Sequence, residues 1–172
     1  MKKLLFTLVA IVAFAFGANA QKVQLQVGYG GYTMMDCCDM HDGGPSVNTA
    51  WGAVTAGVNF GITRNLSLGA SYTFSSSDFK HTDNANIYYH VIMLNGKYNY
   101  WRNNIVTLYG HLGIGVDISH ISLGDHSKNK GYFAMQASPI GADVSINNTL
   151  TMFGELGFGA QGLLQVGVRV NL

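Results

Sequence analysis

The residues best suited to chemistry lie together at positions 34–42, which read MMDCCDMHD. Cys37, Cys38 and His41 offer the thiol and imidazole ligands that soft or borderline metals such as copper and zinc prefer. The adjacent cysteines lack the spacing of a CxxC metal motif. Three interpretations of this stretch therefore stay open: a metal site, a pair of redox-active or crosslinking thiols, or the surface of an ordinary loop.

The N-terminal sequence predicts export. Residues 1–20, MKKLLFTLVAIVAFAFGANA, contain two lysines, an apolar run and a small-residue cleavage site, which is the pattern of a secretory signal peptide. We therefore expect a signal peptide at residues 1–20 and one mature domain at residues 21–172. Only 11% of the residues are charged, with no basic patch or stripe, so no nucleic-acid partner is expected.

The mature region alternates between apolar and polar residues in eight segments. Residues 163–172, LLQVGVRVNL, place leucine and valine on one face and glutamine, glycine, arginine and asparagine on the other. A period of two predicts a β-strand. The same pattern predicts strands at residues 23–30, 53–62, 66–75, 87–98, 106–118, 132–146 and 150–158. The predicted long connections are residues 33–48, 76–86 and 119–131, and the short ones are residues 63–65, 100–104, 147–149 and 160–162.

The two faces of these segments indicate which solvent surrounds the fold. A soluble, lipocalin-like barrel would turn its apolar face inward, whereas a membrane barrel turns it toward lipid. Small residues and nearly all the strand charges share the polar face, as suits a narrow lumen, and tyrosine and tryptophan cluster at strand ends. We therefore predict an all-β fold, an eight-stranded antiparallel transmembrane β-barrel in an up-and-down meander.

This fold predicts two groups of functional side chains. The interior of an eight-stranded barrel is narrow enough for side chains to fill it, and charges buried there must pair, so we expect a lumen without an open pore. The predicted polar network in the lumen consists of Lys97, Asp117, Asp143, Glu155 and Arg169. The predicted aromatic girdle at the membrane interface consists of Tyr88, Tyr98, Tyr100 and Trp101.

The last predicted hairpin resembles a known family. Residues 150–172, LTMFGELGFGAQGLLQVGVRVNL, resemble the C-terminal hairpin of the small bacterial outer-membrane β-barrel domains of the OmpA/OmpX-like kind. The resemblance implies a location in the outer membrane, with outer-membrane lipid and the barrel-insertion machinery as partners. Family members usually end in an aromatic residue, whereas this chain ends in Leu172. The resemblance also implies a structural or surface-interaction role through the outer loops, with no cofactor and an unidentified surface ligand.

An enzyme is the alternative function. His120-Ile121-Ser122 is similar to the His-x-Ser element of lipid A deacylases, and alternation turns both polar side chains toward lipid. However, Leu123 stands where that family has asparagine, and Glu155, the only glutamate, is predicted to lie on the lumen face. No GxSxG element is present either. We therefore expect no enzymatic activity. The two alternatives are a lipid A-modifying enzyme and a protein that binds a metal or small ligand at the outer loops.

Overall fold

The protein is a closed, eight-stranded antiparallel barrel in which each strand pairs with its neighbours in the sequence. A computed structural model describes residues 23–33, 47–79, 85–123 and 126–172. The strands are β1 (Val23–Gly31), β2 (Val47–Gly61), β3 (Leu66–Phe79), β4 (Ala85–Arg102), β5 (Val106–Leu123), β6 (His126–Ser145), β7 (Leu150–Gly159) and β8 (Leu164–Asn171). Within these ranges, no helix is long and apolar enough to cross a membrane. The predicted fold class is confirmed.

The first and last strands close the barrel. β1 pairs with β8 in a register that places Leu25 opposite Val170 and Gln26 opposite Arg169. We call the end that carries Val23, Asn171 and the turns at 62–65, 103–105 and 146–149 the terminal end. We call the opposite end, where residues 160–163 join β7 to β8, the distal end.

Alternation along the strands separates an apolar outer surface from a polar lumen. Leu94 and Leu112 point outward and are 64% and 67% exposed, whereas Arg169 and Glu155 point inward and are 2% and 3% exposed. A water-soluble fold would bury the leucines and expose the charges. The distribution is therefore the one that a barrel surrounded by lipid requires.

Several strands extend further than the sequence pattern predicted. β5 continues to Leu123 and β6 begins at His126, so most of the predicted loop 119–131 is strand. The predicted loop 76–86 is likewise reduced, because β3 ends at Phe79 and β4 begins at Ala85. These strand ends contain serine, asparagine, histidine and lysine, so the alternation on which the prediction depended is lost there. Residues 100–102, predicted to belong to a short turn, complete β4.

A bulge in β6 decides which face Asp143 occupies. The pairing of β6 with β7 shifts between Ala137 and Ile140, and the consecutive residues Pro139 and Ile140 are both exposed. Proline in a sheet is found at bulges because it cannot donate to the ladder. The extra residue reverses the alternation, so Asp143 faces the lumen together with Ser138.

Candidate functional site

Arg169 is at the centre of a polar network in the lumen. Its guanidinium contacts both carboxylates: Nη1 donates to Asp143, and Nη2 donates to Glu155 Oε1 at 2.9 Å. Nη1 also lies 3.0 Å from Tyr109 Oη, and Nε donates to Gln26 Oε1 at 3.2 Å. The rings of Tyr109 and Phe153 flank the cation. One arginine on β8 is thereby bonded to β1, β5, β6 and β7.

The two carboxylates extend the network to β4 and β5. Asp143 Oδ2 accepts from Lys97 Nζ at 2.9 Å. Glu155 Oε2 lies 2.8 Å from His111 Nδ1, and Glu155 Oε1 accepts from Tyr109 Oη at 2.8 Å. Removing a charge from water costs several kcal/mol unless good ionic and hydrogen-bond partners replace it. Each described charge of the network has such partners, so the lumen is crosslinked and filled at this level.

A second layer fills the lumen on the distal side of the network. The β7–β8 turn folds inward, and Gln161 Nε2 reaches across to donate to Ser71 Oγ on β3 at 3.0 Å. Gln136 fixes the turn: its Oε1 accepts from the Gln161 backbone N–H at 2.9 Å, and its Nε2 donates to the Gly162 carbonyl oxygen at 3.2 Å. The side chains of Val91, Met93, Ala134 and Ala160 form an apolar cluster in the lumen. We call these residues, together with Gln136 and Gln161, the distal plug.

Two glycines allow the β7–β8 turn to pack closely against the end of β1. Gly162 has a φ of +104°, a conformation that residues with a Cβ rarely adopt. A Cβ on Gly30 would overlap the backbone carbonyl oxygen of Gln161. A Cβ on the neighbouring Gly31 would meet no atom within 4 Å. The distal plug therefore depends on a glycine at position 30 and does not need one at position 31.

The structure brings together four of the five predicted lumen residues. Lys97, Asp143, Glu155 and Arg169 are linked as described above. Asp117 faces the lumen but lies six residues beyond His111 toward the distal end of β5, where it accepts from Ser119 Oγ at 2.8 Å. Its direct link to the other four residues stays a prediction, because alternation sets the face of a residue and register sets its height.

The sequence analysis missed three members of this network. Tyr109 and His111 have the inward parity of Asp117 on β5, but they were not assigned to the charged network. Their alternation within the very regular segment 106–118 was the available signal. For Gln26 on β1, the only available signal was likewise its position on the polar face of the alternation.

The predicted girdle residues all lie on the outer surface, at two different heights. Tyr98, Tyr100 and Trp101 are exposed at the terminal end of β4, and the exposed Tyr88 lies ten positions from Tyr98 toward the distal end. At about 3.3 Å per residue and a tilt of about 40°, ten positions span about 25 Å of height. That is about the height of the apolar band of a membrane barrel, and the assignment of these aromatics to its two borders stays a prediction.

The structure leaves the predicted metal residues untested. Cys37, Cys38 and His41 lie outside the described residues, so metal binding at this stretch stays a prediction. Where the structure does describe the chain, no group of three or more histidine, cysteine, aspartate or glutamate side chains could hold a metal ion.

Comparison with solved structures shows the same architecture. The N-terminal β-barrel domain of Pseudomonas aeruginosa OprF matches with a TM-score of 0.58 and 11% identity, covering 88% of this chain and 97% of that one. Neisserial surface protein A matches with a TM-score of 0.56 and 11% identity, covering 87% and 95%. Ail of Yersinia pestis, solved with the heparin analogue sucrose octasulfate, matches with a TM-score of 0.50 and 12% identity, covering 88% and 97%. At such identities the likeness establishes the fold.

The family follows from the sequence match. No curated protein matches the sequence. The family model described as the outer membrane protein beta-barrel domain matches residues 4–170, nearly the whole chain. The chain therefore belongs to the outer membrane protein beta-barrel domain family and is a β-barrel of the bacterial outer membrane.

Proposed function

We propose that this protein is a non-enzymatic outer-membrane barrel that acts as a structural scaffold and presents its distal end to partners at the cell surface. The observation that carries this proposal is the filled lumen. Arg169 crosslinks the strands at one level, and Gln161 spans the barrel at another. A barrel filled at two levels has no room for the water-filled channel of a larger porin. Surface contact is then the role left to its rigid scaffold.

Conductance in a planar lipid bilayer tests the closed lumen. The refolded protein should give no steady single-channel current, and a larger porin serves as the positive control. A stable open current from the wild-type protein would overturn the closed-scaffold proposal.

The proposed orientation places the terminal end in the periplasm and the distal end outside the cell. The support is that β5 and β6 continue beyond the level of Tyr88, so the distal end projects past the membrane border. An epitope inserted between residues 124 and 125 should be labelled on intact cells, whereas one inserted between residues 147 and 148 should be labelled only after permeabilisation. The reverse pattern would refute this orientation.

We propose outer-membrane lipid, the barrel-insertion machinery and a surface ligand as partners. The exposed apolar belt supports lipid as the first of these. The Ail structure contains a heparin analogue, so heparin is a suitable first probe for a surface ligand. Intact cells that express the protein should bind immobilised heparin more than vector-only cells if sulfated sugars are the class recognised.

We propose that residues 1–20 are removed as a signal peptide and that residues 21–172 form the mature barrel. The support is the sequence pattern of the first twenty residues. The intact mass of protein extracted from the outer membrane should correspond to a chain that begins at Gln21. A mass that includes residues 1–20 would contradict this processing.

We propose no lipid A chemistry, although one feature keeps an enzyme as the alternative. β5 continues through residues 120–123, so His120 and Ser122 belong to one strand, and His120 lies opposite Tyr88. Glu155 is in the lumen, bonded to Arg169 and His111, and does not orient His120. Mass spectrometry of lipid A should give the same species with and without the protein. A new species that disappears in Ser122→Ala would establish the enzyme instead.

A further inference from the structure

The terminal end of the barrel contains a cavity that the lumen network does not fill. Its volume is about 420 Å³, and almost all of its lining side chains are polar. Arg64, Lys97 and Arg102 contribute three cationic groups, and Asp143 contributes the only carboxylate of the lining. The volume is within the range of about 300–1,000 Å³ that is usual for small-molecule sites.

The side chains that line this cavity carry more positive than negative charge. Asp143 is fully engaged, with one oxygen on Lys97 and the other on Arg169. Among the described residues, no carboxylate forms a salt bridge with Arg64 or Arg102. Both arginines line the cavity, and the planar donor pairs of a guanidinium group match carboxylate and phosphate oxygens.

Hydrogen bonds stabilise the turn that carries Arg64 and the turn that follows Arg102. Thr63 Oγ1 accepts from the Leu66 backbone N–H at 3.0 Å within the turn that carries Arg64. Asn103 Oδ1 accepts from the Val106 backbone N–H at 2.6 Å in the turn next to Arg102. Fixed turns reduce the conformational freedom that a ligand would have to restrict on binding.

Asn99 supplies an independent indication of a ligand. It lines the cavity and is only 7% exposed, and its Oδ1 has no hydrogen-bond partner among the described residues. A buried carbonyl oxygen without a donor is costly. A hydroxyl group of a ligand would supply that donor.

We propose that this cavity binds a small hydroxylated anion of the size of a monosaccharide that carries a phosphate or carboxylate group. The acidic group lies between the guanidinium groups of Arg64 and Arg102, and a hydroxyl donates to Asn99 Oδ1. The binding chemistry is independent of the proposed function, whereas the periplasm as the source of the ligand depends on the orientation given above.

Calorimetric titration of the refolded protein in detergent tests this site. The probes are glucose 6-phosphate, glucuronate, neutral glucose and inorganic phosphate. Saturable one-to-one binding is expected for at least one of the two sugar acids, and whichever binds more tightly identifies the acidic group preferred. Failure of both sugar acids to bind, or equal binding of neutral glucose, overturns the proposal.

Matched variants separate a site from general charge attraction. The double variant Arg64→Gln, Arg102→Gln should weaken sugar-acid binding at least tenfold. The control Lys128→Gln, Lys130→Gln removes the same charge from β6 near the distal end and should leave binding unchanged. An equal loss in both double variants would overturn the site. All variants are first shown to fold by their faster gel migration before boiling.

The hydroxyl contact has its own test. Asn99→Ala should weaken binding of the sugar acid several-fold and leave binding of inorganic phosphate unchanged. Equal affinity of the wild-type protein for inorganic phosphate and for the sugar acids would overturn the hydroxyl contact. The conductance and lipid A experiments give different readouts, so failure of the proposed function is distinguishable from failure of this site.

Discussion

Arg169 Nη2 lies 2.9 Å from Glu155 Oε1, and each of these side chains is only 2% exposed. This pair joins the last two strands at the centre of the lumen, where water cannot stabilise either charge. The free energy of such a pair is a balance between the cost of desolvation and the attraction of the charges. Removing one partner of the pair should therefore lower the stability more than replacing both partners.

The first prediction concerns the removal of one half of that pair. Arg169→Met should lower the free energy of unfolding by about 3–5 kcal/mol, because the buried carboxylates of Asp143 and Glu155 lose the guanidinium that they share. Urea unfolding in lipid vesicles, followed by tryptophan fluorescence, measures the change. Adding Glu155→Gln to Arg169→Met should cost less than Glu155→Gln alone, since the carboxylate has then already lost its arginine partner. Additive costs would show that the two residues are not coupled.

The second prediction uses two adjacent glycines as variant and control. Gly30→Ala should destabilise the barrel by about 1–3 kcal/mol, because the new methyl group meets the carbonyl oxygen of Gln161 and the β7–β8 turn must move. Gly31→Ala should change the stability by less than about 0.5 kcal/mol, as expected where the structure leaves open space. Similar effects of both substitutions in the same unfolding assay would contradict the close packing of the turn.

The third prediction concerns the two levels at which the lumen is filled. Arg169→Ala alone should not produce a channel, because the distal plug still blocks the path. Conductance should appear only when Arg169→Ala is combined with Val91→Gly and Met93→Gly, which enlarge the space in the plug. A steady current from Arg169→Ala alone, recorded in the same bilayer, would show that the plug does not close the lumen.

The fourth prediction concerns the residues that first suggested chemistry. If residues 34–42 form a metal site, His41→Ala should lower the affinity for zinc or copper at least tenfold, because an imidazole ligand is lost. His90→Ala, a substitution on the outer face of β4 that removes the imidazole from Tyr72, is the control and should bind as the wild type does. Unchanged affinity in His41→Ala would leave a redox pair or an ordinary loop as the interpretation of the stretch.

The sequence predicted the faces of the strands better than their lengths or heights. The regular alternation of residues 106–118 and 163–172 placed Arg169 inward and the leucines outward, since every second side chain must face lipid. At the distal ends of β5 and β6 polar residues are frequent and the regular alternation is lost, so the pattern cannot mark the strand end. The bulge at Pro139 also lacks a periodic signal, and the height of Asp117 depends on pairing between strands. Alternation therefore predicted the face of Asp117, but not its separation from the other charged residues.

Single-channel recording of the wild-type protein in a planar lipid bilayer tests the central claim most directly. The claim is that the crosslinked network around Arg169 and the distal plug close the barrel. The account predicts no steady conductance above the bilayer background after verified insertion, over a range of voltages and salt concentrations. A reproducible open state of the unaltered protein would contradict the claim and would assign a transport role to the lumen.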